Sequence, residues 1–290
     1  MKPSRFEYVA PRTEDEALGL LAQHGERAKV LAGGQSLIPL MNFRLAQPEL
    51  VIDINRLPSL AYVQTADGGV AIGALTRQRA LERDAAVRAR LPILAEACHL
   101  IGHAPIRHRG TVGGNLAHAD PASELPAVMV ALGAEMVAAS RRGRRTIAAE
   151  QFFTGPLTTA LRPEELLVQI RVPDLPARTG GAFVEMSRRA GDYALVGVAA
   201  LITLDEAGRC ERARIALCGA GAIPVRAAEA ERVLTGERLQ GAAIDEAARR
   251  AAQATSPTSD IHASAAFRRK LAQHFTREAI VLAARRAGGA

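Results

Sequence analysis

Apolar positions along the chain switch between helical and strand spacing, and the switches mark its elements. Thr13-Glu14-Asp15-Glu16 has the hydroxyl-to-acid spacing of a capping box and precedes Leu18, Leu20 and Leu21, so a helix is predicted to about His24. Val30-Leu31-Ala32 reads as a short strand broken by Gly33-Gly34, after which Ser36 is placed to cap a short helix through Leu40 and Met41. Val51-Ile52-Asp53-Ile54 predicts another strand, and Tyr62-Val63 and Val70-Ala71-Ile72 flank the hairpin signal Ala66-Asp67-Gly68-Gly69. Helices are expected over 77–83 and 91–101. A second glycine turn follows at Gly110-Thr111-Val112-Gly113-Gly114-Asn115, and Ser123-Glu124 opens a helix through Val128 and Leu132.

Further on, strands at 135–139 and 146–148 flank Arg141-Arg142-Gly143-Arg144-Arg145, read as a solvated hairpin tip, and a strand over 166–172 ends at Pro173. Residues 173–181 hold two prolines and two glycines with little apolar content, the best linker in the chain. Beyond it come strands near 182–187, 196–204 and 213–217, then helices near 226–234, 244–254 and 265–286. Strands and helices mix without a steady βαβ rhythm, which favours an α+β fold over a doubly wound parallel sheet.

Composition adds limits. A chain of 290 residues, 48% hydrophobic and 23% charged, is long enough for two domains with substantial cores. The net charge of +7 attracts anions of many kinds, nucleic acid among them. With no Trp, three Tyr and seven Phe, stacking platforms for single strands are scarce, so a basic nucleic-acid-binding module is the weaker alternative from another class. Cys98, Cys210 and Cys218 form no C-x-x-C pair, which fits a reducing cytoplasm and argues against a cysteine-held cluster in this chain. No apolar signal core opens the sequence and no run approaches membrane-spanning length, so a cytoplasmic location is expected.

The chemistry concentrates in the two glycine turns. Gly33-Gly34-Gln35-Ser36 lies between a strand and a helix, where consecutive backbone N–H groups can point into one concavity and grip a phosphate oxygen. Thr111-Val112-Gly113-Gly114-Asn115 offers similar chemistry, with Thr111 and Asn115 as side-chain donors. Either turn alone is most simply structural; together they predict a pyrophosphate held from two sides. There is no G-x-G-x-x-G fingerprint and no P-loop. His99 and His103, four apart, lack the Glu of H-E-x-x-H and read as helix-surface or core residues rather than metal ligands. His118 and Asp120 could form an acid–base pair, though a structural or tuning role is the simpler reading. Ser36 lacks a nucleophile elbow.

Three ordered stretches resemble the FAD-binding medium subunits of the molybdenum hydroxylases. They are Ala32-Gly33-Gly34-Gln35-Ser36-Leu37-Ile38-Pro39-Leu40-Met41, Gly110-Thr111-Val112-Gly113-Gly114-Asn115-Leu116-Ala117 with Asp120-Pro121-Ala122-Ser123-Glu124-Leu125-Pro126 after it, and Arg189-Ala190-Gly191-Asp192-Tyr193-Ala194. The resemblance runs over essentially the whole chain and is similar to the carbon monoxide, nicotine and xanthine dehydrogenase branches. It implies an α+β fold with a two-part FAD domain of the vanillyl-alcohol oxidase type at 1–176, divided near 57/58, and a smaller α+β domain at 177–290. It implies FAD contacts at Ala32, Gly33, Gly34, Gln35, Ser36, Leu37, Thr111, Gly113, Gly114, Asn115, Asp120 and Glu124, apolar contacts at Ile101 and Leu167, and Tyr193 beside the isoalloxazine ring. No catalytic residue and no metal is implied in this chain. The implied partners are a large molybdenum–pterin subunit and a small subunit with [2Fe–2S] clusters, assembled as a dimer of heterotrimers. Gln35 stands where some relatives have His, so a covalent flavin link there is not expected, and Glu185 stands near a Lys-containing family position. A stand-alone FAD oxidase is the enzymatic alternative, for which the chain looks short.

Overall fold

The capping box at Thr13 forms: its hydroxyl accepts the Glu16 N–H at 3.2 Å, and the Glu16 carboxylate accepts the Arg12 N–H at 2.7 Å. This is a computed structural model, and it describes residues 1–66 and 68–289. Strand β1 (Glu7–Val9), helix α1 (Glu14–His24), β2 (Ala28–Leu31), α2 (Leu37–Asn42) and β3 (Leu50–Asp53) make a small sheet ordered β1-β3-β2. Both of its pairings are parallel, whereas the other strand pairings among the described residues are antiparallel. A helix separates each strand from the next, so the chain returns in the same direction. Ala17, Leu18 and Leu21 seal α1 onto this sheet and onto Val137 and Val168 of the next one.

Strands β4 (Val63–Ala66) and β5 (Gly69–Gly73) form the expected antiparallel hairpin; Asp67 of its turn lies outside the described residues. Six helices follow: α3 (Gln78–Arg83), α4 (Ala85–Arg90), α5 (Pro92–Leu100), α6 (Ala104–Arg109), α7 (Val112–His118) and α8 (Glu124–Leu132). Then come β6 (Glu135–Ser140), β7 (Gly143–Ala148), α9 (Ala149–Phe152), β8 (Phe153–Gly155), β9 (Thr158–Thr159) and β10 (Leu166–Pro173). The sheet runs β4-β5-β10-β6-β7, antiparallel where paired. Helices α4, α6 and α9 are additions to the sequence reading; each is too short to show a period. A larger correction concerns the second glycine turn. Gly113 and Gly114 lie inside the first turn of α7, capped by Thr111. The charged tip is also smaller than predicted, a turn at Arg141-Arg142. Arg144 and Arg145 belong to β7 and pair with Glu14 and Glu165 at 2.8 and 2.7 Å.

Strands β11 (Thr179–Ser187), β12 (Ala194–Leu204), β13 (Cys210–Cys218) and β14 (Val225–Arg226) make an antiparallel sheet in that order, with α10 (Ala228–Leu234), α11 (Gly241–Gln253) and α12 (Ala265–Ala287) against it. β12 is buried on both faces, which is why its sequence is a continuous apolar run. Val196, Val198, Ala200 and Ile202 face α10–α12, whereas Ala199 and Leu201 join Phe183, Ala216 and Cys218 in the core around α5 and α8. This sheet is therefore fastened directly to the helices that wall the site.

Candidate functional site

Between the β2–α2 loop, α7 and the loop before β12 lies a cleft of about 570 Å³. Ala32, Gly33, Gly34, Gln35, Ser36, Leu37, Ile101, Thr111, Gly113, Gly114, Asn115, Glu124, Leu167 and Tyr193 all line it. The two motifs, far apart in sequence, thus share one cavity. Asp120 is set apart from the lining: its carboxylate accepts the Ala122 N–H at 2.9 Å and closes its own turn.

The first motif is a cradle of unused donors. Among the described residues, none of the backbone N–H groups from Gly33 to Leu37 donates to an acceptor in the chain, while the Gln35 side-chain amide donates to the Gly33 carbonyl at 3.1 Å. Gly34 has φ +73, the left-handed geometry that lets successive amides turn to the same side. Ser36 makes no capping bond, contrary to the sequence reading, because its own backbone is already helical. Its hydroxyl faces Tyr193 instead. Burial pushes the Tyr193 phenol upward, Asp120 and Glu124 add to this, and the Ser36 hydroxyl opposes it. Tyr193 is 60% exposed, so its ring is available over the cleft.

The second motif has most of its amides satisfied within the chain, and among the described residues only its Thr111 N–H has no acceptor. Val112 and Gly113 donate to the Thr76 and Ala74 carbonyls, each at 2.9 Å, and Gly114 donates to Thr111 Oγ1 at 3.0 Å. Its glycines answer to packing. A Cβ on Gly113 would stand 2.5 Å from Ala74 Cβ, and one on Gly114 2.7 Å from Thr111 Oγ1. Gly33 has the same role between the motifs: a Cβ there would meet the Arg109 carbonyl oxygen at 2.5 Å and Gly110 Cα at 2.8 Å. Arg77 adds a clamp. It donates to the Arg109 carbonyl and, at 2.7 Å, to Asn55 Oδ1, while Asn55 Nδ2 donates to the Ala32 carbonyl at 2.7 Å. Neither Arg77 nor Asn55 carries any local sequence signal.

A buried ion cluster braces the wall nearby. Arg107 pairs with Glu82 at 3.1 Å and donates to the carbonyls of Ile101 and Gly102, both of which line the cleft. Burial pushes the Glu82 carboxyl up, but Arg79, His99 and Arg107 outweigh it and hold the carboxyl down at about 2. His99 serves Glu82 at 2.9 Å, and His103 lies beyond the end of α5, so the two do not share a helix; the described residues contain no metal-binding cluster. His118 lines the cleft; burial lowers its pKa and Asp120 opposes this, with no hydrogen bond joining the two among the described residues. At the far side, burial raises Glu124 to about 7, and burial plus Glu124 raise Glu185 to about 8. Near neutrality Glu185 therefore stands largely protonated, and Glu124 is divided about evenly between its two forms. Among the described residues, Glu185 Oε2 is buried without a hydrogen-bond partner.

The donor set fits a dinucleotide whose linkage is anionic: an unpaired amide cradle, hydroxyl and phenol groups, and apolar walls. Comparison with known proteins agrees. Residues 4–175 match the FAD binding domain in molybdopterin dehydrogenase, and residues 181–283 match the CO dehydrogenase flavoprotein C-terminal domain. The chain belongs to the FAD-binding medium-subunit family of the molybdenum hydroxylases. It is 45% identical over 287 residues to the 6-hydroxypseudooxynicotine dehydrogenase complex subunit alpha of Paenarthrobacter nicotinovorans, covering 99% of this chain and 97% of that one. The carbon monoxide dehydrogenase medium chain of Hydrogenophaga pseudoflava is 39% identical, with 97% of each covered. In three dimensions, a Cu,Mo-CO dehydrogenase structure superposes at a TM-score of 0.96 with 39% identity over 99% of this chain and all (100%) of the other. Quinoline 2-oxidoreductase of Pseudomonas putida 86 gives 0.94 and 37% identity over 99% of each. This medium-subunit fold is an FAD-binding part followed by a C-terminal part, each of mixed helix and sheet. Among the described residues no helix is long and apolar enough to cross a membrane.

Proposed function

We propose that this chain is the electron-transferring flavoprotein of a molybdenum hydroxylase complex, receiving electrons from [2Fe–2S] clusters in a small partner subunit and passing them to an external acceptor. The observation that carries the reading is the run of unpaired amides from Gly33 to Leu37 opening into a cleft of dinucleotide size. Those amides, with the Ser36 hydroxyl, would hold the pyrophosphate of FAD. Thr111 and Asn115 shape the opposite wall, where Asn115 Oδ1 accepts the Ser123 hydroxyl at 2.9 Å. Tyr193 would stack on the ring system. Asp120 acts on the site through its charge, since its carboxylate is engaged elsewhere. FAD, when bound, supplies the redox chemistry; the chain's own residues bind, orient and tune it, and none is required as an acid or base.

We further read the FAD part as the two-part domain of the vanillyl-alcohol oxidase type, with the chain divided at 57/58 and 176/177. The unlike sheets support the first division, one parallel and one antiparallel. Full-length similarity to a carbon monoxide dehydrogenase medium chain supports an assembly with larger and smaller subunits; we read these as a molybdenum–pterin and an iron–sulfur subunit, joined with this chain in the cytoplasm as a dimer of heterotrimers.

The purified chain should show an oxidised-flavin spectrum with about one FAD per chain. Colourless protein that cannot be reconstituted with FAD overturns the proposal. Purification of the native complex, with its subunits and metals identified, tests the partners.

A further inference from the structure

Four non-glycine residues among those described have positive φ, and two of them are joined at the cleft: Ala119 (φ 53), which ends α7, and Leu157 (φ 54), whose N–H donates to the Ala119 carbonyl at 3.1 Å. A leucine in this region of backbone space is crowded by its own Cβ, and glycine or asparagine is the relaxed choice. Leu157 lines the cleft, yet it is 53% exposed. It thus bears two unfavourable features at once, a strained backbone and a bare apolar side chain. Strain of this kind persists where the surroundings hold it, and it gathers at binding sites.

Position says what would cover it. Thr111 caps the start of α7 and Ala119 ends it, so Leu157 lies about one helix length, roughly 10 Å, from the Thr111 end. Asp120, the next residue after Ala119, acts electrostatically on Tyr193. The cradle of unpaired amides is on a different wall, formed by the β2–α2 loop.

We infer that Leu157 is a ring-contact residue, held in its left-handed conformation so that its side chain packs against the isoalloxazine end of the bound dinucleotide, away from the phosphates. The inference rests on the proposed FAD function. It assigns Leu157 to cofactor binding at the expense of the free protein's stability.

The test uses the full-length chain with Leu157→Ala, which trims the side chain and keeps a Cβ, and Leu157→Gly, which also relaxes the backbone. FAD and ADP are the probes: ADP carries the adenosine and both phosphates but no flavin. Both variants should bind FAD about tenfold more weakly and ADP with unchanged affinity. The FAD-free Leu157→Gly variant should melt at or above the wild-type temperature, whereas a purely structural leucine would lower it. Equal loss of FAD and ADP, unchanged FAD affinity, or a clear drop in the melting temperature of Leu157→Gly each overturns the inference. A wild-type chain that binds ADP but not FAD would remove the proposed function, and this inference with it. Wild-type FAD binding that the variants leave intact removes this inference alone.

Discussion

Backbone N–H groups at Gly113 and Gly114 donate to Ala74 and Thr111, whereas those from Gly33 to Leu37 donate to nothing in the described chain. Both segments carry paired glycines beside a hydroxyl residue, and both face one cleft. The difference lies in where the chain goes next. After Thr111 it enters α7 at once, and a helix start pressed on Ala74 has acceptors within reach of its first amides. After Gly33 it makes a left-handed step at Gly34 that turns the amides away from the protein before α2 begins. Two like sequences thus divide the work, one binding and one bracing. Since a buried or half-buried amide without an acceptor costs free energy, the first segment holds binding energy in reserve for an anion.

The strongest way to break this contrast is Gly33→Val. Its side chain would strike the backbone at Arg109 and Gly110, which cannot yield as a flexible side chain would. The expected result is FAD affinity lower by roughly a hundredfold, as several charge-assisted bonds lose their geometry together. A stability loss of about 1–3 kcal/mol should accompany it from overpacking. Retention of flavin in a folded Gly33→Val protein, followed by absorbance and thermal melting, would show that the cradle is elsewhere.

Thr111→Val probes the bracing side. It removes the hydroxyl that caps α7 through Gly114 and should cost about 1 kcal/mol of stability. That oxygen accepts the Gly114 N–H and keeps its own O–H to donate, so a role confined to bracing predicts a change in FAD affinity of less than about threefold. A large loss of affinity with unchanged melting would mean that Thr111 contacts the cofactor directly, and the division of work would fail.

Why could one segment be read from sequence and the other only in part? The first is local: a strand, two glycines and a short helix within a few residues define the cradle. At the second, paired glycines are poor helix formers and read naturally as a turn. The contact that overrides propensity is with Ala74, far away in sequence. The same reason hides the Arg77–Asn55–Ala32 clamp and the Arg107–Glu82 brace, which join residues of ordinary type across long separations. Of the fold, the capping box at Thr13, the hairpin strands and α8 were legible because their signals are local. The parallel pairing of β1, β2 and β3 and the double burial of β12 were not, because both depend on what lies beside the strand.

Charge separates the two sides as well, and it gives the smallest expected effect. The bracing side ends at Glu124 and Glu185, raised to about 7 and about 8 mainly by burial. An ordinary glutamate titrates near 4.5, so the folded chain holds protons that the unfolded chain has released. The sign follows: stability contributed by these groups falls as pH rises from about 4.5 toward 7 and 8. Binding follows the same direction, because ionisation places new negative charge beside a cleft that is to hold an anionic linkage. FAD affinity of the full chain, titrated by flavin fluorescence, should weaken about threefold between pH 6 and 9. Glu124→Gln should remove the part of that fall near pH 7 and move the part that belongs to Glu185 below pH 8, because the Glu124 charge no longer raises it. A profile that Glu124→Gln leaves unaltered would mean that the acids of the bracing side do not sense the cofactor, and the two walls would then differ in hydrogen bonding alone.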